Sequence, residues 1–166
     1  MEQAKEILHQ VCDFMDADKL FYQVRDDAPV IRTGFRGDAA AFDIMIMASA
    51  IPPVLGIYVN IPVVVPEPRR AAMAETVARA NLGLCLGCFD LDMSTGQLAF
   101  RTTMPIPEAT ITHGQFRHLL GSATVVVDGY FPAFVRLLYG DDLSPAEVIA
   151  EVEMQDPEPA REPRDT

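Results

Sequence analysis

The sequence lacks several residue types and segments that whole classes of protein require. It has no Trp, three Cys, and 13 Lys or Arg against 24 Asp or Glu in 166 residues, which gives a formal net charge of −11. Because Lys and Arg supply affinity for phosphates, this balance argues against nucleic-acid partners and anionic membranes. An odd number of cysteines, with no apolar secretion signal at the start, favours a reduced, bacterial-type cytoplasm.

No uninterrupted apolar run of membrane-spanning length is present. The nearest candidate, residues 42–65, is interrupted in its middle by Pro52 and Pro53. A transmembrane helix needs about 20 apolar residues and tolerates a central pair of prolines poorly. Each half is rich in Ile and Val, so the segment is predicted to form two buried strands and no membrane span.

The residues that are present indicate one α+β domain followed by a tail. About half of the residues are apolar, and a chain of this length buries roughly 70% of its unfolded surface on folding. Residues 1–153 are predicted to form the domain. Residues 154–166 carry Pro and charge without apolar anchors, so they are expected to be a disordered tail.

Hydrophobic periodicity divides the domain into helices and strands. The predicted helices cover residues 2–15, 65–83, 112–134 and 144–152. The predicted strands cover residues 20–25, 30–36, 41–49, 55–65 and a hairpin over 88–104. Capping boxes mark the starts of the last two helices: Thr112 with Gln115, and Ser144 with Glu147. Gly129 and Pro132 are expected either to kink the third helix or to split it, and the sequence leaves this choice open.

Cys85 and Cys88 form a C-x-x-C pair, the clearest candidate for chemistry. In redox enzymes such a pair begins a helix, whose N-terminus lowers the thiol pKa, whereas this pair follows a predicted helix and begins a strand. A zinc site would need two more ligands, and neither Cys12 nor the histidines have a matching spacing. A redox or metal-responsive role for Cys85 and Cys88 is therefore the less favoured alternative, and packing thiols are the preferred interpretation.

Other motifs resemble known sites but lack required residues. The turn DLDMSTG has Thr95 where a calcium loop needs Gly, and Arg101 where it needs a bidentate Glu. GFRG at residues 34–37 matches an RNA-backbone clamp, yet it ends a strand in an acidic chain. No Walker, GxSxG, HExxH or GxGxxG motif is present. The sequence therefore predicts no catalytic, cofactor-binding or metal-binding residue, and no enzyme.

The segment PEPRRAAMAETVARANLGLCLGCFDLDMSTGQLAFR, residues 66–101, resembles the YbjN-type domain, a family of candidate bacterial sensory transduction regulators. The matching residues are Arg70, Glu75, Arg79, Asn81, Leu84, Gly87, Phe89, Asp92, Gly96 and Arg101, with the DGYFP box at 128–132 and LSPAE at 143–147. Neither Cys85 nor Cys88 belongs to this pattern. Helix capping by Asn81, close packing at Gly87 and a turn at Gly96 would explain three of these residues structurally.

The resemblance implies a fold similar to type III secretion chaperones: a bent antiparallel sheet of about five to six strands with helices packed on it, often in a homodimer. Those chaperones bind extended segments of other proteins. We therefore expect a non-enzymatic, cytoplasmic protein-binding or regulatory module with an unidentified protein partner. A dedicated secretion chaperone with one client is the alternative. No functional residue is carried over, because the family has no established activity.

Overall fold

The expected α+β fold is confirmed in a computed structural model that describes residues 2–25, 29–140 and 143–155. The elements in these residues are α1 (Glu2–Ala17), β1 (Gln23–Arg25), β2 (Val30–Arg36), β3 (Ala41–Ala50), β4 (Pro53–Val64), α2 (Arg70–Gly83), β5 (Cys88–Leu91), β6 (Gln97–Pro105), α3 (His113–Tyr139) and α4 (Pro145–Gln155). A short 3-10 turn over Glu67–Arg69 leads into α2.

The six strands form one antiparallel sheet with the order β1-β2-β3-β4-β6-β5. The first helix packs on β3, α3 packs on β4 and β6, and α2 packs beside β5, while α4 lies against α2 and α3. Burial alternates along β3: Phe42, Ile44 and Ile46 are buried, and the residues between them are not. The core therefore lies between the helices and one face of the sheet.

The apolar segment with the central Pro pair forms β3 and β4, as predicted. Ile51 and Pro52 form the turn between these strands, and antiparallel pairing starts at Ala50 and Pro53. Pro53 is the first residue of its strand, a position that proline tolerates because little of the ladder depends on its missing N–H. The two halves of the segment thus pack side by side in the sheet.

The third helix, α3, runs without interruption past Gly129 and Pro132. Of the two alternatives for these residues, splitting of the helix is therefore wrong. Val127 and Phe134 on either side of the proline are fully buried, and this packing offsets the hydrogen bond that Pro132 removes. Among the described helices, α3 alone has the length and hydropathy of a membrane span. Its buried stripe lies in the core of the domain.

Both predicted capping boxes are confirmed. The N–H of Gln115 donates to Oγ1 of Thr112 at 3.2 Å, and the N–H of Thr112 donates to Oε1 of Gln115 at 2.9 Å. Ser144 and Glu147 make the same reciprocal pair at 3.3 and 2.8 Å. The helix α4 continues to Gln155, two residues past the predicted domain end at residue 153. That boundary stays a prediction. The expected tail beyond residue 155 lies outside the described residues.

The first strand is shorter than predicted, because the chain leaves α1 through an irregular connection. Lys19 has a φ of 57°, and the N–H of Leu20 donates to the Met15 carbonyl at 2.9 Å, which closes the end of the helix. Regular pairing with β2 begins only at Gln23. The predicted strand over residues 20–25 therefore keeps only its last three residues.

Candidate functional site: the helix-free face and the two edges of the sheet

The helices α1 and α3 cover one side of the sheet, α1 on β3 and α3 on β4 and β6, and we call the opposite side the helix-free face. Strand pairing sets which side chains share it, since directly opposed residues point to the same side. One row across the face consists of Gln23, Arg32, Met45, Tyr58, Arg101 and Cys88. The next row consists of Gly34, Asp43, Asn60, Ala99 and Asp90.

A concavity of about 830 Å³ opens onto this face, with Phe21, Arg32, Met45 and Tyr58 in its lining. The ring of Tyr58 extends over Gly56, where an added Cβ would lie 2.8 Å from the Cε2 atom of the ring. Phe21 is 94% exposed at the β1 end. The face thus combines apolar side chains with one concave surface, a combination typical of binding sites.

The charge of the helix-free face is opposite in sign to that of the chain. Among the described residues it carries Arg25, Arg32, Arg36 and Arg101 against Asp43 and Asp90. Arg101 pairs with Asp90, with Nε and Oδ2 2.9 Å apart. This carboxylate raises the pKa of Arg101, chiefly through its hydrogen bonds. The other arginines of the described face lie on β1 and β2.

Asn81 on α2 closes the edge of the sheet at β5. Its Oδ1 accepts the N–H of Phe89 at 2.7 Å, and its Nδ2 donates to the carbonyl of Phe89 at 3.0 Å. Both backbone groups of Phe89 therefore point away from β6, and the amide satisfies them as a neighbouring strand would. The expectation that Asn81 caps its helix is wrong, because α2 continues to Gly83 and has its C-cap at Leu84.

The hairpin between β5 and β6 is held by other residues of the matched pattern. Asp92 Oδ1 accepts the N–H of Ser94 at 2.8 Å, and Oδ2 accepts the hydroxyl of Thr95 at 2.8 Å. The Ser94 hydroxyl, which donates to Oδ1 at 2.6 Å, then the Thr95 hydroxyl and then the Ser94 N–H lower the pKa of Asp92 below its ordinary value. Arg70 Nη1 donates to two carbonyls of the turn, those of Met93 and Ser94, at 2.9 and 3.0 Å. The acidic turn that resembles a calcium loop thus uses its carboxylate internally.

Gly87 and Gly96 have the structural roles that the sequence predicts for them. Gly96 has a φ of 80°, as the turn requires, and a Cβ there would overlap the Val65 carbonyl oxygen. Gly87 has a φ of 81°, and a Cβ there would overlap the ring of Phe100. Close packing at Gly87 and a turn at Gly96 are both as expected.

The opposite edge, at β1, has a different construction. This strand has a neighbour on one side only, and half of the backbone groups of an end strand point away from its partner. Val24 is 53% exposed. The preceding segment is fixed by Thr33, whose hydroxyl donates to the Phe21 carbonyl at 2.6 Å. A fixed backbone therefore presents the exposed ring of Phe21 beside the concavity, whereas Val24 is exposed on the other side of the strand.

Two motifs from distant parts of the sequence meet at the turn between β2 and β3. The carboxylate of Asp128, which begins the DGYFP box, accepts the N–H groups of Asp38 and Ala39 at 2.8 and 3.0 Å. Gly37, the last residue of GFRG, lies so close that a Cβ would overlap this carboxylate. Both motifs therefore serve the attachment of α3 to the sheet.

Cys85 and Cys88, the pair considered for chemistry, lie in the loop before β5 and at its first residue. Both are free thiols, as is Cys12. Partial burial and then the Asp90 carboxylate raise the pKa of Cys88, against the smaller opposing effect of Arg101. A raised pKa disfavours the nucleophilic thiolate. Within the described residues no group of three His, Cys, Asp or Glu side chains could hold a metal ion.

Sequence reasoning did not identify the helix-free face as a site. One feature of the sequence could have identified it. Met45, Met47 and Tyr58 occupy alternate positions of β3 and β4, where a solvent-exposed face of the sheet would normally have polar residues. The sequence predicts Phe21 within a strand and gives no sign that it lies on an exposed connection. Its exposure results from the irregular path that the chain takes after α1.

A family model for YbjN, described as "Putative bacterial sensory transduction regulator", matches residues 8–136. The crystal structure of YbjN from E. coli, described as "a putative transcription regulator", has 14% sequence identity, a TM-score of 0.57, and matches over 73% of this chain and 85% of that chain. A chain of the HopA1–SchA chaperone–effector complex has 13% identity, a TM-score of 0.52, and matches over 75% of this chain and 93% of that chain. No curated protein matches the sequence.

Proposed function

The chain belongs to the YbjN family, and on this premise we propose that it is a non-enzymatic module of the bacterial cytoplasm that binds an extended segment of another protein. The segment is held at the β1 edge and on the adjoining part of the helix-free face. One observation carries the proposal: a fixed backbone presents Phe21, 94% exposed, beside a concavity of about 830 Å³.

The physical reason is that an end strand offers unpaired backbone groups, to which an extended peptide can add as a further strand. Backbone hydrogen bonds would supply affinity, and Phe21 and Met45 would supply apolar contact area. The polar residues of the family pattern do not compete for this role, since Arg70, Asn81 and Asp92 are used within the fold.

A test is affinity capture from the native cytosol with the tagged wild type and with Phe21→Ser and Met45→Ser. The matched control is Met154→Ser, which removes an equally apolar side chain, 73% exposed, from α4. We expect a stoichiometric protein partner that the two sheet variants lose and the control retains. Loss of the partner in the control alone, or equal capture by all variants, would refute the proposed surface.

A dedicated chaperone with one client is the second candidate function. It is favoured by the similarity in fold to the HopA1–SchA chaperone–effector complex. Capture of one protein, retained in an export-competent, partly unfolded form, would support this narrower role. Capture of several proteins that share a segment would instead support the general module.

We also propose that the protein forms a homodimer, as the resemblance to the chaperones implies. Exposed apolar side chains outside the proposed site, such as Leu82 and Val125 on α2 and α3, leave surface for it. A mass measurement in solution tests this: twice the chain mass of 18.2 kDa is expected, and the mass of one chain at micromolar concentration would contradict it.

A further inference from the structure

We infer that the bound segment is a strand with apolar side chains on both of its sides. This inference rests on the proposed function and adds the side-chain pattern of the partner. It follows from a step in the β1 edge and from two concavities that lie on opposite sides of this step.

The step is the part of β2 that extends past β1. Pairing between the two strands ends at Gln23 and Arg32, whereas β2 continues to Arg36. We call residues 33–36 the step. Among the described residues, no strand lies beside the step on its outer side. The edge of the sheet is therefore formed by β2 itself at this point.

The backbone of Gly34 faces outward at the step. The N–H of Gly37 donates to the Ala40 carbonyl at 2.9 Å, so these two residues form a hydrogen-bonded pair where β2 turns into β3. Such pairs alternate along an antiparallel ladder, and Gly34 with Asp43 is consequently a pair without hydrogen bonds. The N–H and carbonyl of Gly34 thus point away from β3, and Gly34 is exposed. These are groups with which an added strand pairs.

Concavities lie on both sides of the step. The concavity of about 830 Å³ on the helix-free face and a second one of about 460 Å³ share Thr33, Gly34 and Ile44 in their linings. The second concavity lies on the side of the sheet that α3 covers, because Leu120 and Gly121 also line it. We call it the helix-side concavity. A strand at the step directs successive side chains to these two sides in turn.

The lining of the helix-side concavity offers apolar groups to an occupant. Its large apolar side chains are Leu20, Phe35, Ile44 and Leu120. The hydroxyls of its two threonines are used within the fold. Thr33 donates to the Phe21 carbonyl at 2.6 Å, and Thr124 donates to the Gly121 carbonyl at 2.9 Å. A side chain that enters this concavity is therefore expected to be apolar, since a polar group would lose water without gaining a partner.

The two charged side chains of this lining, Asp18 and Arg117, do not favour a charged occupant. Oδ2 of Asp18 lies 2.9 Å from Nε2 of His113 and 3.7 Å from Nε of Arg117. The carboxylate is thus used by α3, and it faces the guanidinium that a charged occupant would otherwise meet.

Both sides of a strand at the step would therefore contact apolar groups. Phe21, Met45 and Tyr58 supply them on the helix-free face, and the lining described above supplies them on the other side. Consecutive apolar residues are typical of strands that are covered on both faces. A segment that alternates apolar and polar residues would fill one concavity only.

The test measures the fluorescence anisotropy of two short labelled peptides with the full chain. One peptide has Val or Leu at every position, and the other has Ser at every second position. Gly121→Leu directs a side chain into the helix-side concavity, and Leu20→Ser removes an apolar side chain, 39% exposed, from its lining. The matched control is Gly114→Leu, an exposed position of α3 outside this lining. Apart from neighbouring parts of α3, no atom of the described residues lies within 4 Å of a Cβ added at either glycine.

We expect the fully apolar peptide to bind the wild type and Gly114→Leu equally and to bind Gly121→Leu and Leu20→Ser about tenfold more weakly, because a buried apolar contact is lost. The Ser-containing peptide should bind more weakly than the apolar one and within about twofold in all four proteins, since it can use the helix-free face alone. The amide of Gly34 should exchange more slowly when the apolar peptide is bound.

Equal affinity of the wild type for the two peptides would overturn the inference. Undiminished binding of the apolar peptide by Gly121→Leu, or unchanged exchange at Gly34, would do the same. The capture experiment above does not depend on the helix-side concavity. A partner that Phe21→Ser loses and Gly121→Leu retains would therefore overturn this inference and leave the proposed function in place.

Discussion

The two edges of the sheet are built in opposite ways. At β5, the amide of Asn81 takes both backbone groups of Phe89, at 2.7 and 3.0 Å. At β1, the sheet ends in a strand of three residues. The apolar side chains of Phe21, just before this strand, and of Val24, within it, are 94% and 53% exposed. An exposed strand edge is a liability that proteins usually cover. One edge of this sheet follows that rule, and at the other edge we propose that the partner binds.

Residues that match the YbjN pattern lie near the closed edge and have structural roles there. Arg70, Asn81, Asp92 and Gly96 all lie at the closed edge or in its hairpin, where each makes a contact that the fold requires. The β1 edge contributes no residue to that pattern. Residues that identify the fold are thus separated from the surface where we place function.

The largest expected effect comes from opening the closed edge. Asn81→Ala leaves the N–H and carbonyl of Phe89 without partners in a partly buried position. We expect a loss of about 2 to 3 kcal/mol in the free energy of unfolding, since each unsatisfied group costs about 1–3 kcal/mol and water recovers part of that. Urea unfolding measures this loss. Self-association beyond the dimer proposed for the wild type should accompany it.

The control for this change is Asn60→Ala, which removes an exposed amide from the helix-free face. It should alter the unfolding free energy by less than about 0.5 kcal/mol. Equal stability of Asn81→Ala and Asn60→Ala would show that the amide does not close the edge.

A smaller effect concerns pH at the closed edge. Hydrogen bonds from Ser94 and Thr95 lower the pKa of Asp92 in the folded state below its ordinary value of 3.8. The ionised carboxylate therefore stabilises the fold above about pH 4, and this contribution is lost as the pH falls toward the lowered pKa. Between about pH 5 and pH 2 the urea midpoint of the wild type should fall more steeply than that of Asp92→Asn.

Thr95→Ala tests the cause of that pH dependence, because it removes the hydroxyl that donates to Asp92 Oδ2. Its urea midpoint should depend on pH less steeply than that of the wild type and more steeply than that of Asp92→Asn. Identical slopes in all three proteins would assign the acid sensitivity to other carboxylates.

The smallest effect on stability is expected at the open edge. Phe21→Ser removes a ring that is 94% exposed, so the unfolding free energy should change by less than about 0.5 kcal/mol. Partner capture should nevertheless be lost. A large loss of stability would mean that the Phe21 ring contributes to the core, and it would contradict the difference proposed between the open and the closed edge.

Local signals predicted most of the fold. The capping boxes at Thr112 and Ser144 and the periodicity of the helices are written in neighbouring residues, and the structure confirms them. The continuity of α3 through Pro132 was beyond such signals, because it depends on core packing of residues far apart in sequence. Local sequence patterns therefore predict individual helices and strands better than they predict how these helices and strands pack together.

The candidate site was less accessible to sequence reasoning. Asn81 has the residue type of a helix cap, and only the position of β5 shows that it reaches another strand. Arg32, Met45 and Tyr58 lie on three strands, and their common row follows from register, which no short motif encodes. The sequence shows that the turn at Asp92 lacks the Gly and the Glu of a calcium loop, and the structure adds that the carboxylate of Asp92 accepts hydrogen bonds within the turn.

The most direct test of the account is hydrogen–deuterium exchange of the complex captured from the native cytosol, compared with the free chain. We predict slower exchange in the backbone amides of β1, Gln23–Arg25, and unchanged exchange in those of β5, Cys88–Leu91. Slower exchange at β5, or on α3 and α4 with none at β1, would contradict the assignment of the partner to the open edge.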